Sequence, residues 1–258
     1  MKVIILAGGL GTRISEETEN KPKPMVLIDD KPIIWHLMNI FSSQGLNEFV
    51  IALGYRSDVI KRWLIDLHEL DGDFRIDISN SKIEKLSVGK IKDWKVSAIE
   101  TGLTTQTGGR ISQCMRKHTG ERVMVAYGDG LANVNLKKLL EYHESHGKLA
   151  TVTAVRPPAR FGHLNIENGV VENFGEKNQA DAGWINGGFF VLEPEVANFV
   201  HDDLEPFEHG ALPRLVAENQ LNAFLHDGFW QPMDTLREKM DLAKFALEVP
   251  PPWLKPHL

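Results

Sequence analysis

Gly8, Gly9 and Gly11, then Arg13, then Lys23 in the run Lys21-Pro22-Lys23-Pro24 are the residues of this chain best suited to chemistry. Glycine lets a backbone approach a ligand closely, and the free N–H groups of such a turn cradle phosphate oxygens. Arg13 and Lys23 add two cations beside that cradle. The preceding run Lys2-Val3-Ile4-Ile5-Leu6 is apolar and of strand length, so the loop leaves the end of a buried strand. Together these residues read as a site for a nucleoside triphosphate or its pyrophosphate. Two commoner glycine loops are excluded by residue type. A Walker A loop ends in Lys-Ser or Lys-Thr, and neither follows here. A dinucleotide fingerprint needs a third glycine where Ile14 stands. A tight turn without a ligand would suit the glycines alone, but it gives Arg13 and the Lys-Pro-Lys-Pro run no role.

Two aspartates are candidates for a metal. Asp129, in Gly128-Asp129-Gly130, follows the apolar run Val123-Met124-Val125-Ala126-Tyr127, and its small neighbours leave room for a cation. Asp234 follows Phe229-Trp230-Gln231-Pro232-Met233 and precedes Thr235. Mg²⁺ prefers hard oxygen ligands and is commonly held by one or two carboxylates plus substrate phosphates. Each aspartate has a plain alternative of equal weight. Asp129 could be a turn residue, and Asp234 the N-cap of a helix favoured by Thr235 and Glu238. His143 and His146, three apart on a predicted helix, could align two ligands, but a solvated helix face accounts for them more simply.

The elements that must position these groups alternate. Pro32 to Ser43 has a helical apolar period with proline near its first turn. Phe49 to Leu53 is a buried strand, and a helix capped by Ser57 runs to Leu67. Val123 to Tyr127 is another strand, Leu136 to His146 another helix, and Ala150 to Val155 and Trp184 to Leu192 further strands. Such alternation predicts an α/β fold, a mostly parallel sheet with helices on both faces. Ligands of these sheets bind at the carboxyl ends of the strands, where the glycine loop and Asp129 both fall. Between Asp71 and Glu100 the pattern weakens into short β-like runs, predicting a projecting ribbon. The tail from Glu248 to Leu258, with three consecutive prolines and Trp253, reads as a non-helical segment on the surface or against a partner.

Composition narrows the function. There are 29 Lys plus Arg against 35 Asp plus Glu, a net charge of −6, so nothing argues for nucleic acid as a partner. The single Cys114 cannot form an internal disulfide, and no Cys/His cluster has zinc spacing. No apolar run reaches the ~18 residues of a membrane span, and no signal peptide precedes the first strand. A cytoplasmic enzyme with no membrane partner is expected.

Gly8-Gly9-Leu10-Gly11-Thr12-Arg13 with Lys23-Pro24 resembles the signature of the sugar nucleotidylyltransferases, which join a nucleoside triphosphate to a sugar 1-phosphate. Similar blocks run along most of the chain: Lys31-Pro32-Ile33-Ile34-Trp35-His36, Thr107-Gly108-Gly109-Arg110, Tyr127-Gly128-Asp129-Gly130, Ile185 to Phe190 and Gly228 to Thr235. Ser15-Glu16-Glu17-Thr18 stands where most of the family has Pro-Leu-Thr, and here the chain resembles the glucose-1-phosphate cytidylyltransferase branch. The resemblance implies a Rossmann-like nucleotide-diphospho-sugar transferase fold as one domain over 1–258, with Mg²⁺ as cofactor and a homo-oligomeric assembly. It implies CTP and glucose 1-phosphate as substrates and pyrophosphate and CDP-glucose as products, the latter a precursor of dideoxysugars in surface polysaccharide such as O-antigen.

Residue roles follow from the same resemblance. Arg13 would hold the leaving β,γ-phosphates, and Lys23 would neutralise charge near the α-phosphate. Leu6, Ala7, Gly8, Gly9, Leu10, Gly11, Thr12, Thr105, Arg110 and Gly128 would contact the nucleotide. Asp129 and Asp234 would hold the metal. Glu176, Lys177, Asn186 and Gly187 would take the sugar phosphate, although Asn178 replaces the family's usual proline after the lysine. Arg110 resembles the branch's cytosine-reading arginine, whose fork suits N3 and O2 of cytosine. Uracil would leave one donor unpaired at ~1–3 kcal/mol. A phosphate contact or a surface place are its alternatives, and Trp230 reads equally as a stacking platform for a pyranose or as core. Two other functions stay open. Transfer with another nucleotide or sugar is disfavoured by the Ser-Glu-Glu-Thr and Phe-Trp-Gln-Pro-Met-Asp blocks. A non-catalytic sensing subunit is disfavoured because Arg13, Lys23, Asp129 and Asp234 are all present.

Overall fold

The structure, a computed structural model, describes residues 1–70, 72–87, 93–157, 162–167, 170–176 and 183–255, with the backbone described at Arg13 and over 162–167 and 170–176. In chain order the first strands are β1 (Lys2–Leu6), β2 (Leu27–Ile28), β3 (Lys31–Pro32), β4 (Glu48–Leu53), β5 (Phe74–Asp77), β6 (Lys82–Lys85) and β7 (Lys95–Glu100). They continue with β8 (Val123–Tyr127), β9 (Gly130–Ala132), β10 (Ala150–Val155), β11 (Gly162–Glu167), β12 (Val170–Glu176), β13 (Ile185–Leu192), β14 (Leu221–His226) and β15 (Trp230–Pro232). The helices are α1 (Ser15–Thr18), α2 (Ile33–Ser42), α3 (Ser57–Glu69), α4 (Thr107–Cys114), α5 (Leu136–His146), α6 (Ala211–Ala217) and α7 (Leu236–Ala246).

Seven strands form the central sheet in the order β14-β10-β13-β8-β1-β4-β7. Neighbours are parallel except at β13, which runs antiparallel to both β8 and β10. This is the mostly parallel mixed sheet expected from the alternating pattern. Continuous apolar runs suit it because both faces are covered. Val3 and Ile5 face a core with Leu37 and Phe41 of α2, while Ile4 and Leu6 face another with Ile111 of α4 and Phe190. From β1 the chain builds β4 and β7 on one side, then crosses to β8 on the other. Strand order therefore reverses between β1 and β8, the place where open α/β sheets bind ligands. The glycine loop follows β1 and Asp129 follows β8, so the topology alone brings them together.

Four expectations need correction. The sequence reading assigns all of 71–100 to a ribbon. The structure pairs only β5 with β6 in a separate hairpin and puts β7 on the edge of the central sheet, parallel to β4. There Val96 and Ala98 pack on the core, which a short amphipathic strand does not announce. β11 and β12 form a further antiparallel pair. Ser57, expected as an N-cap, is instead the first residue of α3; the cap position is Arg56, and no side-chain hydrogen bond caps the helix. His143 is not on a solvated face: it is 1% exposed, its Nδ1 2.7 Å from Thr151 Oγ1 and its Nε2 3.2 Å from Glu193 Oε1. Burial holds its pKa below the ordinary imidazole value.

The tail is the fourth. Pro252–Leu254 forms a turn of 3₁₀ helix, and Trp253 is 1% exposed, its ring 5.3 Å from His36 and 6.1 Å from Phe229. An indole has enough apolar area to anchor a segment that cannot form a regular helix. Trp253→Ala should lower unfolding stability by about 3–5 kcal/mol, read as a shifted urea midpoint. A shift under ~1 kcal/mol would show that the tail is not part of the folded core.

Candidate functional site

Backbone hydrogen bonds hold the glycine loop open at the top of the sheet. Ala7 N donates to Ala52 O at 3.0 Å, Tyr55 N to Gly8 O at 3.2 Å, and Gly128 N to Leu6 O at 3.1 Å. The loop is thus fastened to strands on both sides of β1. Gly11 has φ of 65°, a left-handed conformation that glycine adopts without strain. Thr18, from the Ser-Glu-Glu-Thr stretch, then closes the loop: its hydroxyl donates to Gly11 O at 3.0 Å and to Ile14 O at 3.1 Å.

Arg110, on α4, supports the loop from below. It is buried, 4% exposed. Nη1 donates to Leu53 O at 2.8 Å and Thr101 Oγ1 at 2.6 Å, and Nη2 donates to Gly8 O at 3.0 Å. Burial lowers its pKa below the usual guanidinium value, and these acceptors supply the hydrogen bonds that a buried cation requires. Both terminal nitrogens are committed to the protein rather than to a base. Gly8 is glycine for this reason: a Cβ there would stand 2.2 Å from Arg110 Nη1. Thr105, also buried, donates to Thr101 O and belongs to the same support.

Lys23 unites the two candidate metal ligands. Its Nζ lies 2.6 Å from Asp129 Oδ2 and 2.7 Å from Asp234 Oδ1. Burial would lower the Lys23 pKa, but the two carboxylates outweigh it and the net shift is upward. Two short elements deliver Asp234. β15 pairs with β9 so that Pro232 faces Gly130, and Met233 N donates to Asp129 O at 2.8 Å. α7 then starts in a capping box, with Thr235 as N-cap and Glu238 reaching back. The N-cap alternative for Asp234 therefore fails. It lies one residue before the cap, its N–H donates to Glu238 Oε2 at 2.7 Å, and its side chain reaches Lys23.

An open cleft of about 720 Å³ lies over this end of the sheet, lined by Leu6 to Thr12, Lys23, Leu103 to Thr107, Arg110, Tyr127, Gly128, Asp129 and Glu208. Asp129 and Asp234 offer hard oxygens beside the glycine loop, a donor set of the type that fits Mg²⁺ held jointly with substrate phosphates. Among the described residues no cluster of three or more His, Cys, Asp or Glu makes an all-protein metal cage.

The remaining predicted residues lie beside the cleft or outside the description. Arg13 falls in the 3₁₀ turn Thr12–Ile14, its backbone continuing from the glycine loop. Asn186 and Gly187, on β13, do not line the cleft; Gly188 N donates to Asn186 Oδ1 at 2.8 Å, and Trp230 Nε1 donates to Gly187 O at 2.8 Å. Glu176 ends β12, and Lys177 lies outside the described residues. Tyr127 and Glu208 were missed. Tyr127 opens the Tyr127-Gly128-Asp129-Gly130 block without being singled out, and nothing local marks Glu208, because their bonds join positions far apart in the chain.

The chain matches the nucleotidyl transferase family over residues 2–247. It is 43% identical over 256 residues to a protein of Salmonella typhi named glucose-1-phosphate cytidylyltransferase, and equally to its namesake in Salmonella typhimurium, in each case covering 98% of both chains. The solved structure of HddC from Yersinia pseudotuberculosis complexed with GMP-PN superposes with a TM-score of 0.69 at 24% identity, over 94% of this chain and 98% of that one.

Gly8→Ala forces the Arg110 guanidinium off the loop. The variant should bind nucleoside triphosphate about tenfold more weakly or worse by calorimetry, the cost of disrupting buried hydrogen bonds. Unchanged affinity would show that Arg110's hold on the glycine loop does not matter for nucleotide binding.

Proposed function

The chain belongs to the nucleotidyl transferase family, and on that premise we propose that it transfers the cytidylyl group of CTP to α-D-glucose 1-phosphate, giving CDP-glucose and pyrophosphate. The observation that carries the chemistry is one buried ammonium, Lys23, bound to two carboxylates at the edge of a glycine-lined cleft. The choice of substrates is supported by likeness to the two Salmonella proteins over nearly the whole of both chains.

A phosphate oxygen of the sugar 1-phosphate forms a bond to the α-phosphorus as the bond from that phosphorus to the β-bridging oxygen breaks, and pyrophosphate leaves. The nucleophile is already an anion, so the chain needs no general base. Its task is to bring two polyanions together and stabilise charge on the leaving group. The glycine loop offers backbone N–H groups to the triphosphate, and Arg110 keeps that loop in place through Gly8 O. Lys23, already a cation at the edge of the cleft, lies where the reacting phosphates would meet Asp129. Arg13 follows the loop and serves the β,γ-phosphates. Asp129 and Asp234 would hold Mg²⁺, which when bound supplies positive charge that aligns and screens phosphate oxygens. On the sugar side, Glu176, Lys177, Asn186 and Gly187 take the hexose phosphate.

On the same reading the protein works in the cytoplasm as a homo-oligomer. No described helix is long and apolar enough to cross a membrane. Phe74, Ile76 and Ile83 share an exposed face of the β5–β6 hairpin, a surface that association of copies would cover. Sedimentation velocity showing only monomer would remove that part.

Pyrophosphate release should be measured with glucose 1-phosphate and Mg²⁺, offering CTP, UTP, dTTP and ATP in separate reactions. CTP should be strongly preferred, and Asp129→Ala should reduce turnover by at least ~100-fold, as loss of a preorganised electrostatic group does. Preference for another nucleotide would overturn the choice of CTP. No release with any of them would overturn the transfer of a nucleotidyl group to this sugar.

A further inference from the structure

Glu208 lines the cleft, and neither the mechanism above nor any motif of the sequence uses it. Its carboxylate is held from two sides. Oε2 accepts from Thr107 Oγ1 at 2.8 Å, in the first turn of α4, and Oε1 accepts from the Tyr127 hydroxyl at the end of β8. Thr107 Oγ1 in turn accepts from Phe207 N at 2.8 Å, so the neighbouring residue of the same loop fixes the direction of the threonine. Both partners of Glu208 are neutral hydroxyls, and the described residues give it no lysine or arginine. Asp129, the other carboxylate of the cleft, differs in having Lys23 at 2.6 Å.

A carboxylate without a cation is ill suited to meet phosphate. It suits a part of the substrate that carries N–H or O–H groups, and each oxygen keeps a lone pair after accepting one bond. The rest of the cleft narrows which part that is. The glycine loop and Lys23 serve the phosphates, and Asn186 and Gly187 of β13 lie outside the lining. What remains is the wall from Leu103 to Thr107, to which Glu208 is bonded, and that wall is left for the nucleoside. Arg110 stands in it too, but its terminal nitrogens are committed to Leu53 O, Thr101 Oγ1 and Gly8 O.

We propose that Glu208 is a specificity-determining residue that accepts a hydrogen bond from the nucleoside. The donor is either the exocyclic amine of cytosine or a ribose hydroxyl. Against the amine, a carboxylate discriminates strongly, because the uracil type of base presents a carbonyl acceptor at the same place. This assignment rests on the nucleotidyl-transfer reading and deepens it by naming how the nucleoside is chosen.

Calorimetric affinities for CTP, UTP and dCTP, measured without sugar phosphate on the wild type and on Glu208→Gln, test it. If the amine is the donor, the preference for CTP over UTP should fall about tenfold or more in the variant, since glutamine can donate to the uracil carbonyl. If ribose is the donor, the preference for CTP over dCTP should fall instead. Both ratios unchanged, whatever the overall loss of affinity, would overturn the proposal and leave Glu208 only a brace between α4 and β8. Should Glu208→Gln not fold, Thr107→Val loosens the same carboxylate and is judged by the same ratios. Pyrophosphate release tests the reaction separately. A wild type that binds CTP selectively without releasing pyrophosphate would remove the transfer reaction and still let the ratios decide on Glu208, whereas a wild type that binds no nucleotide overturns both.

Discussion

Two carboxylates must meet on one ammonium, and most of the site is arranged so that they do. Asp129 and Asp234 would repel each other if brought together alone, and Lys23 alone would lose hydration on burial without compensation. Joined, the three satisfy one another at 2.6 and 2.7 Å. Lys23 stands 106 residues from one partner and 211 from the other, so only the folded chain can make the cluster. Each group is carried by an element of little freedom: Asp129 by the end of a central strand, Lys23 by a proline-flanked 3₁₀ turn, Asp234 by a short ladder and a capping box.

The same logic extends to the loop beside it. A glycine loop makes a phosphate cradle only if something prevents its collapse, and here that is a buried guanidinium with backbone acceptors from Gly8 and Leu53. Close approach is needed on the other side as well. A Cβ on Gly128 would stand 2.4 Å from Leu6 O, so the ends of β1 and β8 could not lie so near with any larger residue. Glycine thus serves two ends in one site, exposing N–H groups at the loop and admitting a neighbouring strand at Gly128. On the proposed reading, the cations and carboxylates would divide the cleft between phosphate and the remainder of the substrate.

Residues in contiguous motifs were the legible part. Gly8 to Thr12, Lys23, Gly128 and Asp129 stand in short blocks whose chemistry can be named, and the structure sets them around one cleft. The buried strands were legible too, because a run such as Val123 to Tyr127 admits few other places in a fold. Ambiguities and misreadings arose where several roles suit the same local pattern. Asp234 beside Thr235 offers two plausible caps, and only the reach of Glu238 shows which one is used. His143 on a polar helix looks solvated until Thr151 and Glu193 close over it. Trp253 after three prolines looks like a loose tail until His36 and Phe229 are seen against it.

By itself the sequence determined the α/β alternation, the glycine loop that leaves the first strand and the residue types available for charge compensation. These are local properties, set by apolar periodicity and by what each side chain can donate, accept or leave open. Only the tertiary structure decided that β7 joins the sheet edge, that Arg110 turns its fork to the backbone, and that Glu208 faces the cleft between Thr107 and Tyr127. Each of those depends on hydrogen bonds between residues dozens of positions apart, and such partners become neighbours only after the sheet has brought their strands together.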